Sequence, residues 1–165
     1  MPFQFGTRSR AALITVDPRL DRVANKALAV SKQDFGVVEG FRSDADQLKA
    51  WLTGHSKLNG IPVGIIRNGI KGTGLGNHQS GHAIDCYPWV NGQPELEDLT
   101  YFYPMVLAFC LAAKVEGVLI RWGADWDHCL NDETPTLEAI SQIPKLYEAR
   151  HPGPDFIDSP HFELI

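Results

Sequence analysis

An α+β domain with a small, mainly antiparallel sheet is the fold this sequence predicts, on three observations. Helical signals come early in the chain and again between strands. The strand signals are few and short. One long glycine-rich stretch leads into a pair of strands that carry histidine and carboxylate side by side. Helices packed with a small antiparallel sheet are a standard layer solution for burying one apolar face of each element.

Asp17-Pro18 opens the first predicted helix, a cap followed by proline at the first helical position. Leu20, Val23, Ala24, Ala27 and Leu28 then share one helical face. Residues 35–41 read as a short strand. Ser43-Asp44-Ala45-Asp46 resembles a capping box with Asp in place of Glu, and its helix sets Leu48, Trp51 and Leu52 on one side. Residues 59–76 contain six glycines and read as a long loop, with a hairpin at Arg67-Asn68-Gly69. Long loops inside compact domains are often functional. Residues 82–89 alternate as a strand, Leu99–Glu116 forms a helix, and residues 118–122 form another strand. Thr134-Pro135 opens a last helical stretch, interrupted at Pro144. Residues 161–165 form the final strand.

The length of 165 residues predicts one domain over 1–165, with no separate second module. Such a chain buries enough surface to fold without a disulfide or metal staple. Hydrophobic residues make up 44% and charged residues 21%, which excludes disorder, collagen and coiled coil. A net charge of −5 argues against a nucleic-acid partner. The three cysteines, Cys86, Cys110 and Cys129, form no CxxC pair and read as free thiols in a reducing compartment. The N-terminal residues lack the apolar stretch of a signal peptide. The best apolar run, 105–113, falls short of the roughly 20 residues of a membrane span.

The chemistry concentrates in two segments. The first is Asn77-His78-Gln79-Ser80-Gly81-His82-Ala83-Ile84-Asp85, and the second is Asp158-Ser159-Pro160-His161-Phe162-Glu163. In a continuous strand His78 and Asp85 would face opposite sides, since their separation is odd. A turn at Ser80-Gly81 would let both face one point, with small Ala83 leaving room beside Asp85. In the second segment Phe162 and Leu164 face the core, while His161 and Glu163 share the other face and Asp158 sits upstream on the turn. His78, Asp85 and His161 would make a two-histidine, one-carboxylate site, the donor set of a catalytic zinc with an open position for water. His82 competes with His78 for that role. Asp158 or Glu163 would take the water's proton. HExxH is absent, which excludes a helical zincin. His55, His128 and His151 read as solvated loop residues. Trp89, Trp122 and Trp126 are candidates for cleft walls or core. Asp125, Asp127, Asp132 and Glu133 form an acidic loop where a second cation such as calcium could bind, although the spacing matches no full calcium loop and fits a solvated loop better.

The pattern His78-x-x-Gly81-x-Ala83-x-Asp85, followed by Asp158-x-x-His161, resembles the zinc DD- and LD-peptidases that include the VanY-type carboxypeptidases. Phe5-Gly6-Thr7-Arg8-Ser9, Glu39-Gly40-Phe41-Arg42-Ser43, residues 120–126 and residues 160–164 extend the likeness to phage and prophage endolysins, the L-alanyl-D-glutamate endopeptidases. The resemblance implies the small α+β fold shared with Hedgehog signalling domains. It implies zinc on His78, Asp85 and His161, Asp158 as the carboxylate that activates water, Arg42 on the substrate or its developing oxyanion, and no ligand role for His82. Gly76 and Ser159 depart from the residues usual there.

The function expected is therefore zinc-dependent hydrolysis of the L-Ala–D-Glu bond in the peptidoglycan stem peptide. Its rivals are a D-Ala-D-Ala carboxypeptidase on the same scaffold and a catalytically idle, metal-bearing binding domain. The same reading expects a monomer held in the cytoplasm of an infected bacterium until a holin-type partner opens the membrane.

Overall fold

The computed structural model describes residues 2–152 and 157–165. Its helices are α1 (Thr7–Leu13), α2 (Pro18–Val30), α3 (Asp44–Leu52), α4 (Leu99–Glu116) and α5 (Leu137–Arg150). Its strands are β1 (Phe35–Glu39), β2 (Ile66–Arg67), β3 (Ile70–Lys71), β4 (Ala83–Val90), β5 (Gln93–Pro94), β6 (Ile120–Trp122) and β7 (His161–Leu164). The main sheet runs β1-β4-β7-β6, with β5 pairing onto β4, and every pairing is antiparallel. The expected α+β architecture is therefore the one observed.

The helix starts follow the capping residues. Asp17 accepts a hydrogen bond from the Arg19 amide and places Pro18 first in α2. Ser43 accepts from the Asp46 amide at the start of α3. α4 ends at Gly117, whose φ of +63° closes the helix in the left-handed region. By length and hydropathy α4 could cross a membrane, but here it is the central core helix. It packs against α2 and buries Phe102, Met105, Val106 and Phe109. Phe109 stacks on Phe162 of β7 at 4.0 Å between ring centroids, which pins the sheet beneath the site to the core.

The structure adds one helix to the expected set and corrects the reading of α3 and α5. Helix α1 was not foreseen, because its arginines interrupt any apolar stripe. It is held by Leu13 in the core and by Ser9, whose hydroxyl accepts from the Val37 amide of β1. In α3 the buried residue is Gln47, not the Leu48–Trp51–Leu52 side, and Leu52 is 66% exposed. Gln47 bonds to Arg42, Ser56 and the Leu58 carbonyl, so α3 faces a polar rim instead of an apolar core. Helix α5 starts at Leu137 under a Thr136 cap, two residues after Thr134-Pro135. It continues through Pro144, because the buried face of Ile140, Ile143, Pro144 and Tyr147 offsets the one lost backbone bond. In the 59–76 loop the Arg67-Asn68-Gly69 hairpin forms as expected, with both central residues at positive φ.

Candidate metal centre and cleft

Strands β4 and β7 bring the first two candidate residues together by register. Asp85 pairs directly with His161, and Ala83 with Glu163. Residues directly opposite across an antiparallel pair project from the same face, so Asp85, His161 and Glu163 share one side of the sheet. Phe162 points the other way and is fully buried.

His78 arrives from outside the sheet. Asn77–Ser80 forms one 3₁₀ turn that ends at Gly81, whose φ is +72°. That left-handed residue lets the chain reverse and enter β4. The turn at Ser80-Gly81 thus does what the odd His78–Asp85 spacing required. His78 Nε2 lies 3.2 Å from Asp85 Oδ1 and 3.2 Å from His161 Nδ1, and His161 Nδ1 lies 3.2 Å from Asp85 Oδ1. One ligand atom from each residue falls within 4.8 Å of the other two. The remaining nitrogens point outward. His78 Nδ1 lies 2.7 Å from the Gly40 carbonyl, and His161 Nε2 lies 3.0 Å from Glu163 Oε2.

The charges around this point are set by burial and pairing. Burial alone would raise the Asp85 carboxyl, but His161 and His78 outweigh it and hold Asp85 well below the usual carboxylate range. Burial would lower the His161 imidazole, yet Asp85 and Glu163 lift it to about 9. Asp158 is pushed the other way. Burial, and then repulsion from Asp85, raise its carboxyl above the ordinary value. Among the described residues its carboxylate accepts no hydrogen bond, so it stands at the site without a committed partner. A buried carboxyl whose neutral form is favoured in this way is suited to taking a proton from a reacting group and giving it back.

The three candidate ligands and Asp158 lie along one cleft of about 890 Å³. Glu39, Arg42, Lys49, Tyr87, Trp126 and Tyr147 are among the residues that line it. Trp126 faces His161 at 5.3 Å between ring centroids, whereas Trp122 is core at 1% exposure. Trp89 lies apart, against Gly36 in another groove.

His82 is not part of the centre, since its half-buried side chain turns to Asp17, with Nε2 3.7 Å from that carboxylate. Arg42 is at the cleft, 3.7 Å from Asp85, but its two-pronged bond goes to Glu39. A fork expected to face substrate is thus already engaged, because a register shift in β1 turns Glu39 toward Asp85. Asp125, Asp127 and His128 also gather within ligand distance. There Arg150 bonds to both carboxylates and His151 to Asp127, so these two carboxylates are already engaged by the end of α5. His128 and His151 lie within hydrogen-bond distance of Asp125 and Asp127, and their side chains stay 50% and 39% exposed, in line with the solvated residues expected there.

Gly123 is a site residue that sequence reasoning missed. It follows β6, its amide donates to the His161 carbonyl at 2.8 Å, and its carbonyl accepts from the Asp158 amide at 2.9 Å. A Cβ placed there would meet the Asp158 carbonyl oxygen at 2.3 Å and His161 Cβ at 2.9 Å. Gly123→Ala should therefore displace the Asp158–His161 turn, at about 1–3 kcal/mol for a methyl forced into a packed site. Thermal unfolding should show the loss of stability. A parental Tm would contradict this reading.

Comparison with known proteins identifies the family. The family model described as phage L-alanyl-D-glutamate peptidase matches residues 1–140. The chain belongs to the phage L-alanyl-D-glutamate peptidase family. That match includes Arg42, His78 and Asp85, while Asp158 and His161 follow it. The L-alanyl-D-glutamate peptidase of Escherichia phage T5 is 36% identical over 127 residues, 77% of this chain and 84% of that protein. The crystal structure of the L-Ala D-Glu endopeptidase ChiX of Serratia marcescens superposes with a TM-score of 0.67 at 24% identity, covering 98% of this chain and 90% of its own. The fold of this family member is thus shared with a solved structure through β7.

Proposed function

We propose that the chain is a zinc-dependent L-alanyl-D-glutamate endopeptidase that cleaves the stem peptide of peptidoglycan. Family membership supports the substrate. The observation that carries the chemistry is the convergence of His78 Nε2, Asp85 Oδ1 and His161 Nδ1 beside Asp158. Two imidazole nitrogens and one carboxylate oxygen, aimed at one point in a cleft, fit the donor set of a catalytic zinc. When bound, zinc supplies Lewis acidity, lowering the pKa of a water and polarising a carbonyl.

The chain's own residues would do the rest. Asp158 takes the proton of the attacking water and delivers it to the leaving amine nitrogen. The cleft that holds the site is also lined by Asp46, Gln47 and Ala50 of α3. Arg42 sets positive charge beside Asp85 and Asp158 at the rim. As part of this proposal the chain is one peptidase domain acting as a monomer. It waits in the host cytoplasm for a holin-type partner to expose the wall.

Metal removal tests the proposal. Dialysis against a chelator should abolish release of peptide from purified peptidoglycan, and zinc should restore it. Activity that persists in chelated protein would contradict a metal-dependent reaction. Zinc uptake should also release protons. His161 without metal is protonated below about 9, and a metal ligand must be neutral. Uptake at neutral pH should therefore release roughly one proton, and affinity should fall as pH falls. Calorimetry in buffers of different ionisation heat reads this directly, and buffer-independent heats would contradict it.

A further inference from the structure

We infer that Glu163 is the positioning residue of this centre: its buried carboxylate fixes the face and tautomer of His161 and ties both histidine-bearing segments into one frame. The inference rests on the metal-site reading above, and beyond that on geometry. With His161 Nδ1 aimed at Asp85 and His78, its Nε2 carries hydrogen and needs an acceptor. Glu163 Oε2 lies 3.0 Å from it. His161 and Glu163 are two apart on β7, hence on one face, and opposite Glu163 stands Ala83, whose small side chain leaves room for the carboxylate.

Glu163 has a side chain only 5% exposed. A carboxylate so buried persists only when paired and hydrogen-bonded. Its two oxygens divide the task. Oε1 accepts from Arg121, from Nε at 2.8 Å and also from Nη2. Oε2 accepts from Asn77 Nδ2 at 2.7 Å as well as from His161. Asn77 immediately precedes His78, so this one oxygen links the 3₁₀ turn to β7. Arg121 also donates to the Trp126 carbonyl at 2.9 Å, and its guanidinium lies 5.6 Å from the centroid of that indole, which in turn faces His161. With both oxygens engaged, Glu163 is a poor proton acceptor for substrate chemistry, and Asp158 keeps that role. An anionic acceptor on the distal nitrogen of a ligating histidine orients the ring and raises its basicity, and loss of such a partner typically costs about 10–100-fold in metal affinity.

The test is zinc affinity, measured by competition with a chromophoric chelator, together with the visible absorption of the cobalt(II)-loaded protein and the melting of metal-free protein. Glu163→Gln keeps the size and removes the charge. It should bind zinc about 10–100-fold more weakly and shift the cobalt bands, while metal-free protein keeps its far-ultraviolet circular dichroism. Glu163→Asp, which keeps the charge on a shorter stem, should recover part of the affinity. If Glu163→Gln fails to fold, Asn77→Ala carries the test, since it cuts one bond at Oε2 and leaves the Arg121 pair. It should weaken zinc binding severalfold. Parental zinc affinity in folded Glu163→Gln overturns the inference, and so does parental affinity in Asn77→Ala. A lower Tm of metal-free protein with unchanged zinc affinity also overturns it, because the role would then be structural. Parental protein that binds no zinc overturns the metal-site reading itself, which separates the two failures.

Discussion

Asp158→Asn should give a folded, zinc-loaded protein whose turnover of stem peptide is lower by about 10²–10⁴-fold, the usual contribution of a positioned general base. The structure gives three reasons. Asp158 lines the same cleft as the three candidate ligands. Burial and the neighbouring Asp85 raise its carboxyl, so it can both take and return a proton. Its backbone, not its side chain, holds the turn, through the Gly123 carbonyl and the His161 amide. The amide substitution therefore removes the proton acceptor and leaves the turn intact. The split between metal content and rate is the diagnostic result. Parental turnover in Asp158→Asn would remove it from the base role. Loss of zinc together with loss of rate would make it a ligand.

His78→Ala and His161→Ala should lose both zinc and activity, whereas His82→Ala should keep both. Each of the first two removes one of three donors that converge from separate elements, the 3₁₀ turn and β7. His82 is close to them in sequence but projects toward Asp17, and its side chain is 44% exposed. Metal analysis of the three purified variants decides the assignment. Zinc loss confined to His82→Ala would contradict it.

Much of this centre is legible in the sequence because its spacing is local. His161 and Glu163 are two apart, so strand periodicity alone puts them on one face. Ser80-Gly81 marks the reversal that brings His78 over Asp85. The caps at Asp17 and Ser43 and the glycine after Glu116 delimit α2, α3 and α4 in the same way. What escapes is set by contacts between residues distant in the chain. Arg121 meets Glu163 across 42 positions, and Asn77 meets it across 86. No periodicity encodes either pair. Gly123 reads as an ordinary turn glycine until the Asp158 carbonyl is seen where its side chain would be. Arg42 reads as a free cation until the register shift in β1 delivers Glu39 to it. Gln47 is buried by its hydrogen bonds, which an apolar stripe cannot anticipate.

The most direct measurement is the identity of the ends produced when purified protein digests peptidoglycan. An endopeptidase needs a cleft open at both ends and releases a peptide that begins with D-Glu. A carboxypeptidase closes on a terminal carboxylate and releases D-Ala. Mass spectrometry with amine labelling should find new L-Ala carboxyl ends and D-Glu amino ends, appearing together and only when zinc is bound. Release of D-Ala with the L-Ala–D-Glu bond intact, or no cleavage by zinc-loaded protein on several wall types, would contradict the account.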